Sequence, residues 1–154
     1  MMPMPHIGTT IRSMRDADCL AVAPLLPDLG YSATPAQMQA RLTALREWPH
    51  QEAFVAEVDG VIAGLCQVQG VRLLASNGYA EVQALVVGAG YQRQGIGRTL
   101  LQHASDWAYD LGYERVRLRS GIHREAAHRF YEATGFTRSK ASHAFEAHRP
   151  RTGQ

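Results

Sequence analysis

Residues 92–97, Gln92-Arg93-Gln94-Gly95-Ile96-Gly97, stand between an apolar, β-like run and an amphipathic, helix-like one. The first turn of a helix leaves backbone N–H groups without partners, and its dipole favours an anion there. Two glycines let a ligand come close to those amides, and Arg93 and Arg98 add positive charge. The arrangement suits a phosphate or pyrophosphate. A P-loop needs Lys-Ser/Thr after its last glycine, whereas Gly97 is followed by Arg98-Thr99. A dinucleotide fingerprint needs three glycines in a regular βαβ unit with an acid about twenty residues on. Neither fits. Taken alone, the stretch also reads as a tight strand-to-helix turn that uses glycine for its backbone freedom.

Other chemistry-bearing types are sparse. Cys19 and Cys66 are too few and too widely separated for a disulfide framework and lack metal-type spacing, which points to a reducing, cytoplasmic location. His123 and His128 are five apart with no Cys or carboxylate cluster at ligand spacing, so no metal is expected.

The elements that must position these residues follow from patterning. A chain of 154 residues with 45% hydrophobic and 19% charged content fits one globular domain, 1–154, with ends at 1–5 and 148–154 expected to lack order. The formal charge of +2 argues for neither nucleic acid nor a membrane surface as partner; the N-terminal "MMPMPHIGTTIRSMR" has no apolar core of signal-peptide length, and no run approaches membrane-spanning length. Of the 16 basic residues all but Lys140 are arginine, the better fork for phosphate, although codon usage gives the same bias.

Residues 7–14 read as a first strand. Residues 16–26 read as a helix that Pro24 and Pro27 kink or end. Thr34-Pro35 reads as N-cap and first helical position, with Met38, Leu42 and Leu45 as the apolar stripe through Arg46. Two β-rich runs around Asp59-Gly60 predict a hairpin, and "YAEVQALVV" (79–87) a central strand. Ile96, Leu100, Leu101, Ala104, Ala108 and Leu111 trace one helical face, closed by Gly112. "YERVRLRS" (113–120) alternates as a strand with Val116 and Leu118 on one face; 124–134 is helical and ends at Gly135; "FTRSKASHAFEAH" predicts one or two closing strands. The order β-α-α-β-β-β-α-β-α-β-(β) is mixed α/β and not the alternation of a doubly wound sheet.

At this point the chain resembles the GNAT superfamily of acetyl-CoA-dependent N-acetyltransferases. The family signature Gln/Arg-x-x-Gly-x-Gly/Ala is matched by Gln92, Gly95 and Gly97 after the strand "ALVV", and its later aromatic helix with Gly-Phe by "AHRFYEATGF" (127–136). The resemblance implies a largely antiparallel mixed sheet flanked by helices and splayed between its central strands. It implies acetyl-CoA as cosubstrate, its pyrophosphate on the amides from Arg93 through Gln94, Gly95, Ile96 and Gly97 to Arg98. Leu85, Val86 and Val87 would offer backbone groups to the pantetheine arm. Tyr131 is the implied proton donor to the departing thiolate, since a phenol stays protonated at neutral pH; packing of the Phe130-Tyr131 pair is its structural alternative.

Glu81 is the implied base, and with strict alternation Glu81, Gln83, Leu85 and Val87 share a face. Gln83 is an alternative holder of a relay water, and Glu81 as an exposed strand-end carboxylate is the plain alternative. Arg124 stands where many relatives carry asparagine and is a candidate for a CoA phosphate. Ala127, Ser120 and His128 are candidates for the cofactor groove. The implied reaction is direct attack by a primary amine, of a small molecule or a peptide, in a ternary complex; a transferase using another acyl-CoA and a non-catalytic acyl-CoA sensor are the alternatives. Tyr31, Trp48 and Tyr79 are candidate acceptor contacts, and a homodimer suits the element order.

Overall fold

The computed structural model describes residues 8–119 and 124–151. The chain divides into two compact units, Met1–Arg119 and Ser120–Gln154, each described by itself.

The first unit is built on a five-stranded sheet in the order β1-β2-β3-β4-β5: β1 (Thr9–Ser13), β2 (Gln51–Val58), β3 (Val61–Val71), β4 (Tyr79–Val87) and β5 (Val116–Leu118). All neighbours are antiparallel except β4 and β5, which run parallel. The β2–β3 hairpin turns at Asp59 (φ 49°) and Gly60 (φ 83°), the two positive φ values of a type I′ turn. The strand expected to be central, β4, lies inside the sheet beside the short edge strand.

One face of the sheet carries the segment after β1. It opens as a 3-10 turn (Asp16–Asp18), becomes α1 (Cys19–Val22) and continues as a 3-10 helix (Ala23–Leu29). The prolines of "APLLPDL" explain the change: Pro24 and Pro27 cannot donate to an α-helical ladder. Gly30, at φ 85°, ends the segment. Helix α2 (Pro35–Arg46) starts on a reciprocal cap, in which Gln37 N–H donates to Thr34 Oγ1 (3.1 Å) and Thr34 N–H to Gln37 Oε1 (2.9 Å). Met14, Cys19, Val22 and Leu42 pack with Ala53, Val55, Leu65 and Val86 on this face. Helix α3 (Ile96–Asp110) covers the opposite face, burying Ile96, Leu100, Leu101, Ala104, Ser105 and Ala108. Leu111, expected in that stripe, is exposed instead, because the helix has reached its C-cap there. A Cβ on Gly64 of β3 would stand 3.0 Å from Leu100 Cδ1 and from Val86 O, so a side chain there would press on the contact between α3 and the sheet.

The second unit contains α4 (Glu125–Ala133). The closing strands expected from Phe136 to His148 do not form: these residues carry no helix or strand, and Phe145 is 93% exposed. The stretch scatters Phe136, Ala141, Ala144 and Phe145 without a period of two, so it offers no apolar face for a sheet to bury. Of the ends expected to lack order, 1–5 lies outside the described residues, and 148–151 has no regular structure.

Candidate functional site

Strand β4 is the backbone of the candidate site, and one extra residue decides what it presents. Its register against β3 runs Glu81↔Gln69 and Val82↔Val68, then resumes at Ala84↔Gln67, Leu85↔Cys66, Val86↔Leu65 and Val87↔Gly64. Gln83 is therefore a β-bulge, and a bulge inverts the alternation beyond it. Opposite residues of an antiparallel pair share a face. Leu65 and Val86 lie on the α1–α2 face, whereas Gly64 and its partner Val87 lie on the α3 face. Glu81 thus shares the α1–α2 face with Ala84 and Val86, and Leu85 and Val87 lie on the other. The expectation that Glu81, Leu85 and Val87 share one face is corrected by this insertion, which a single strand's pattern does not reveal.

The bulge also chooses which backbone groups meet the β5 side. Gly88 N–H donates to Ala63 O (2.8 Å), so by the alternation of an antiparallel ladder Val86 pairs with β3, and Leu85 and Val87 turn their N–H and C=O outward. Pairing with β5 covers only Ala80–Val82 against Val116–Leu118. Beyond Val82, no strand among the described residues takes up the outward groups. The Val87 carbonyl accepts instead from the side chain of Gln92 (Nε2, 3.2 Å), the first residue of the glycine loop.

The side chain of Glu81 is 14% exposed. It accepts from Gln83 Nε2 (3.1 Å) and from Arg119 Nε (3.3 Å). Beside it Tyr79 is buried beneath Arg117, whose guanidinium carbon lies 4.4 Å from the ring centroid. Arg117 and Arg119 went unremarked in the sequence, yet the period-2 placement of Arg115, Arg117 and Arg119 marks one basic face. Of the other candidate acceptor contacts, Tyr31 and Trp48 are exposed, at 72% and 66%.

The glycine loop leaves β4 through a 3-10 turn (Ala89–Tyr91). Arg93 (φ 64°) and Gly95 (φ 81°) both take the left-handed conformation around Gln94. Left-handed residues next to right-handed ones curl successive N–H groups into a concave, anion-binding nest. Gly95 is the N-cap of α3 and makes no side-chain cap. The N–H groups of Ile96 and Gly97 therefore open the helix with neither an intrahelical partner nor a capping side chain. The first intrahelical bond is Thr99 N–H to Gly95 O (3.0 Å). Arg93 is exposed and Arg98 half-buried.

In the second unit Arg124 is the N-cap of α4, Ala127 is half-buried, and Tyr131 lies near the helix end. Gly135 (φ 100°) closes the helix, with Phe136 N–H donating to Tyr131 O (3.0 Å) and Gly135 N–H to Glu132 O (3.2 Å). The Tyr131 ring meets Phe130 and Phe136 edge-on, at 5.5 and 6.3 Å between centroids. Ser120 lies outside the described residues, and His128 is 3.8 Å from Glu125. Both cysteines are free and buried. Burial pushes the Cys66 thiol up to about 12, so it is no nucleophile at neutral pH. Among the described residues no group of three or more His, Cys, Asp or Glu could hold a metal, and no helix is long and apolar enough to cross a membrane.

Residues 22–136 match the sequence profile of the acetyltransferase (GNAT) family. An uncharacterized N-acetyltransferase of Bacillus subtilis, YhdJ, is 48% identical over 98 residues, which is 63% of this chain and 69% of that protein. A putative acetyltransferase from Agrobacterium tumefaciens has a similar structure, with a TM-score of 0.81 and 26% identity over 90% of this chain and 99% of its own. An aminoglycoside N-acetyltransferase, AAC(6')-Iy, solved in complex with CoA, superposes with a TM-score of 0.79 at 16% identity, covering 90% of this chain and 94% of its own.

Proposed function

The chain belongs to the acetyltransferase (GNAT) family, and from that premise we propose that it transfers an acetyl group from acetyl-CoA to a primary amine by direct attack within a ternary complex. The observation that carries the reading is the left-handed loop at Arg93 and Gly95, set at the start of α3 and tied by Gln92 to the outward rim of β4. It joins an anion nest to a strand edge with open backbone groups, which fits a ligand bearing a pyrophosphate and an amide-containing arm. The CoA complex of AAC(6')-Iy supports the cosubstrate.

Acetyl-CoA supplies an activated thioester carbonyl. The amides from Arg93 to Arg98 hold the pyrophosphate, with the first-turn N–H groups and the helix dipole favouring its charge. Leu85 and Val87 pair with the arm's amides in place of a strand, while Val86 anchors the strand to β3. Arg124 takes a CoA phosphate, and Ala127 leaves room along the groove. An ammonium cannot attack, so Glu81 accepts its proton, directly or through a water held by Gln83. The carbon–nitrogen bond forms as the carbon–sulfur bond breaks, and the Tyr131 phenol gives its proton to the departing sulfur. The second proton that the nitrogen sheds on becoming an amide restores Tyr131 through solvent, and Glu81 gives its proton up to solvent, so the turnover releases one proton. Cys66, buried and protonated, supports attack without a covalent acetyl-enzyme.

The family match runs across the division between the two units, which supports residues 1–154 as one domain. Free, buried cysteines support a reducing, cytoplasmic setting. A small-molecule or peptide amine is the acceptor in this reading, and a homodimer is the proposed assembly.

Calorimetric titration with acetyl-CoA, with NADH and ATP as controls, tests the cosubstrate, and thiol release with a panel of amines tests the reaction. Micromolar binding of acetyl-CoA alone, followed by amine-dependent thiol release, upholds the proposal. Equal binding of ATP overturns the reading of the loop. Binding without release to any amine makes the protein an acyl-CoA sensor.

A further inference from the structure

Arg115, Arg117 and Arg119 alternate along β5 and its flanks, so they share a face of the sheet. The parallel register sets Arg117 beside Glu81, which makes it the face that carries the candidate base. Arg119 Nε lies 3.3 Å from Glu81 Oε1. Arg117 and Arg115 lie over the Tyr79 ring, at 4.4 and 5.7 Å from its centroid, and neither has a carboxylate partner among the described residues. Three arginines thus line one face at an edge strand three residues long, and only Arg119 is paired with the carboxylate.

Covering Tyr79 accounts for one of these arginines. A single stacked guanidinium satisfies the ring face, and the Arg115 contact is the looser. Like charges at alternate strand positions, about 7 Å apart, repel one another, and an anion between them removes that cost. A guanidinium fork matches the oxygens of a carboxylate or phosphate. The pyrophosphate loop does not supply that anion. It follows Val87, which lies about 20 Å from Glu81 at the usual rise per residue.

Resting on the transferase reading above, we infer that the acceptor is an amine that also carries an anionic group, a carboxylate or a phosphate. Arg115 and Arg117 hold the anion while Glu81 receives the proton of the amine. This explains a basic surface around a group whose substrate is otherwise cationic.

Steady-state kinetics on matched acceptors test the inference: phosphoethanolamine against ethanolamine, and serine against serinamide. The anionic member of at least one pair is expected to have a KM about tenfold lower, in line with a charge-assisted contact; which pair responds tells phosphate from carboxylate. Arg115→Gln and Arg117→Gln are each expected to raise that KM about tenfold. The neutral member's KM and that of acetyl-CoA stay within about twofold. Arg117→Lys, which keeps the charge, serves where Arg117→Gln lowers the thermal midpoint. Equal KM values within both pairs overturn the inference, as does a loss shared by neutral and anionic acceptors. A rise in the KM of acetyl-CoA instead assigns the arginines to CoA and also overturns it. Each of these results leaves acetyl transfer standing. Absence of both acetyl-CoA binding and thiol release overturns the transferase reading. Calorimetry with phosphoethanolamine and with serine then decides the site, since binding of either that Arg115→Gln abolishes sustains an amine–anion site and no binding of both rejects it.

Discussion

The carbonyl of Tyr131 accepts from Phe136 N–H (3.0 Å), from Thr134 N–H (3.1 Å) and from the Thr134 hydroxyl (2.8 Å), and its ring is flanked by Phe130 and Phe136. The glycine-closed end of α4 thus fixes both ends of the residue proposed as acid. Tyr131→Phe removes only the hydroxyl, so kcat is expected to fall about 100- to 1,000-fold with the KM for acetyl-CoA little changed. Glu81→Gln keeps the hydrogen-bonding shape at Gln83 and is expected to lower kcat by a similar factor, read by thiol release at pH 7. Undiminished turnover in either variant removes that residue from the mechanism. Tyr131 and Glu81 stand out in the sequence only through the family resemblance, Tyr131 within "AHRFYEATGF" and Glu81 by its place on the strand 79–87. The partners of Glu81 do not. Arg119 lies 38 positions away, and a pairing of that kind exists only once β4 and β5 have met.

Among the elements, the glycine loop was legible because its demands are local: a positive φ at Gly95 and a helix start at Ile96 follow from residue type and spacing. Adding a Cβ at Gly95, where φ is 81°, costs about 1 kcal/mol in a left-handed conformation. It also tightens the mouth of the nest. Gly95→Ala is therefore expected to raise the Kd for acetyl-CoA about tenfold in calorimetry, with a fall of a few degrees in the thermal midpoint. The β2–β3 hairpin, the Thr34 cap and the span of β4 were equally readable, each written in a few adjacent residues. The bulge at Gln83 was not, since it is a mismatch between two strands. The absence of strands after Phe136 had a local sign as well, since the stretch lacks the period of two that a sheet face needs.

At the scale of the molecule, a polar knot ties the first strand to the rest of its unit. Arg12 of β1 donates to both Asp18 oxygens (2.8 and 2.9 Å) and to Glu57 of β2 (3.3 Å), and Arg15 N–H donates to Asp18 (2.7 Å). Asp18 is 7% exposed. The hydrogen bond from Arg12 holds its carboxyl below the usual carboxylate range, against the opposing effect of burial. A carboxyl with a lowered native pKa stabilises the fold above its unfolded pKa of about 3.9, and the contribution fades as pH falls through the native value. Asp18→Asn leaves Arg12 without its main partner and is expected to cost about 3 kcal/mol in urea unfolding at pH 7. The difference from the unaltered protein should persist from pH 8 to pH 5 and shrink below about pH 4; a difference that grows in acid would contradict this role. The overall class was readable here too: element order bound it as mixed α/β, and the family resemblance implied the largely antiparallel sheet. The inserted Gln83 has one more consequence, for how such a chain can vary over time. It sets the parity of β4, so side-chain identity there is hostage to length. Losing or gaining one residue between Glu81 and Leu85 would exchange the two faces of everything downstream, while a change of two would restore them. The strand's usefulness is written as a count before it is written as letters.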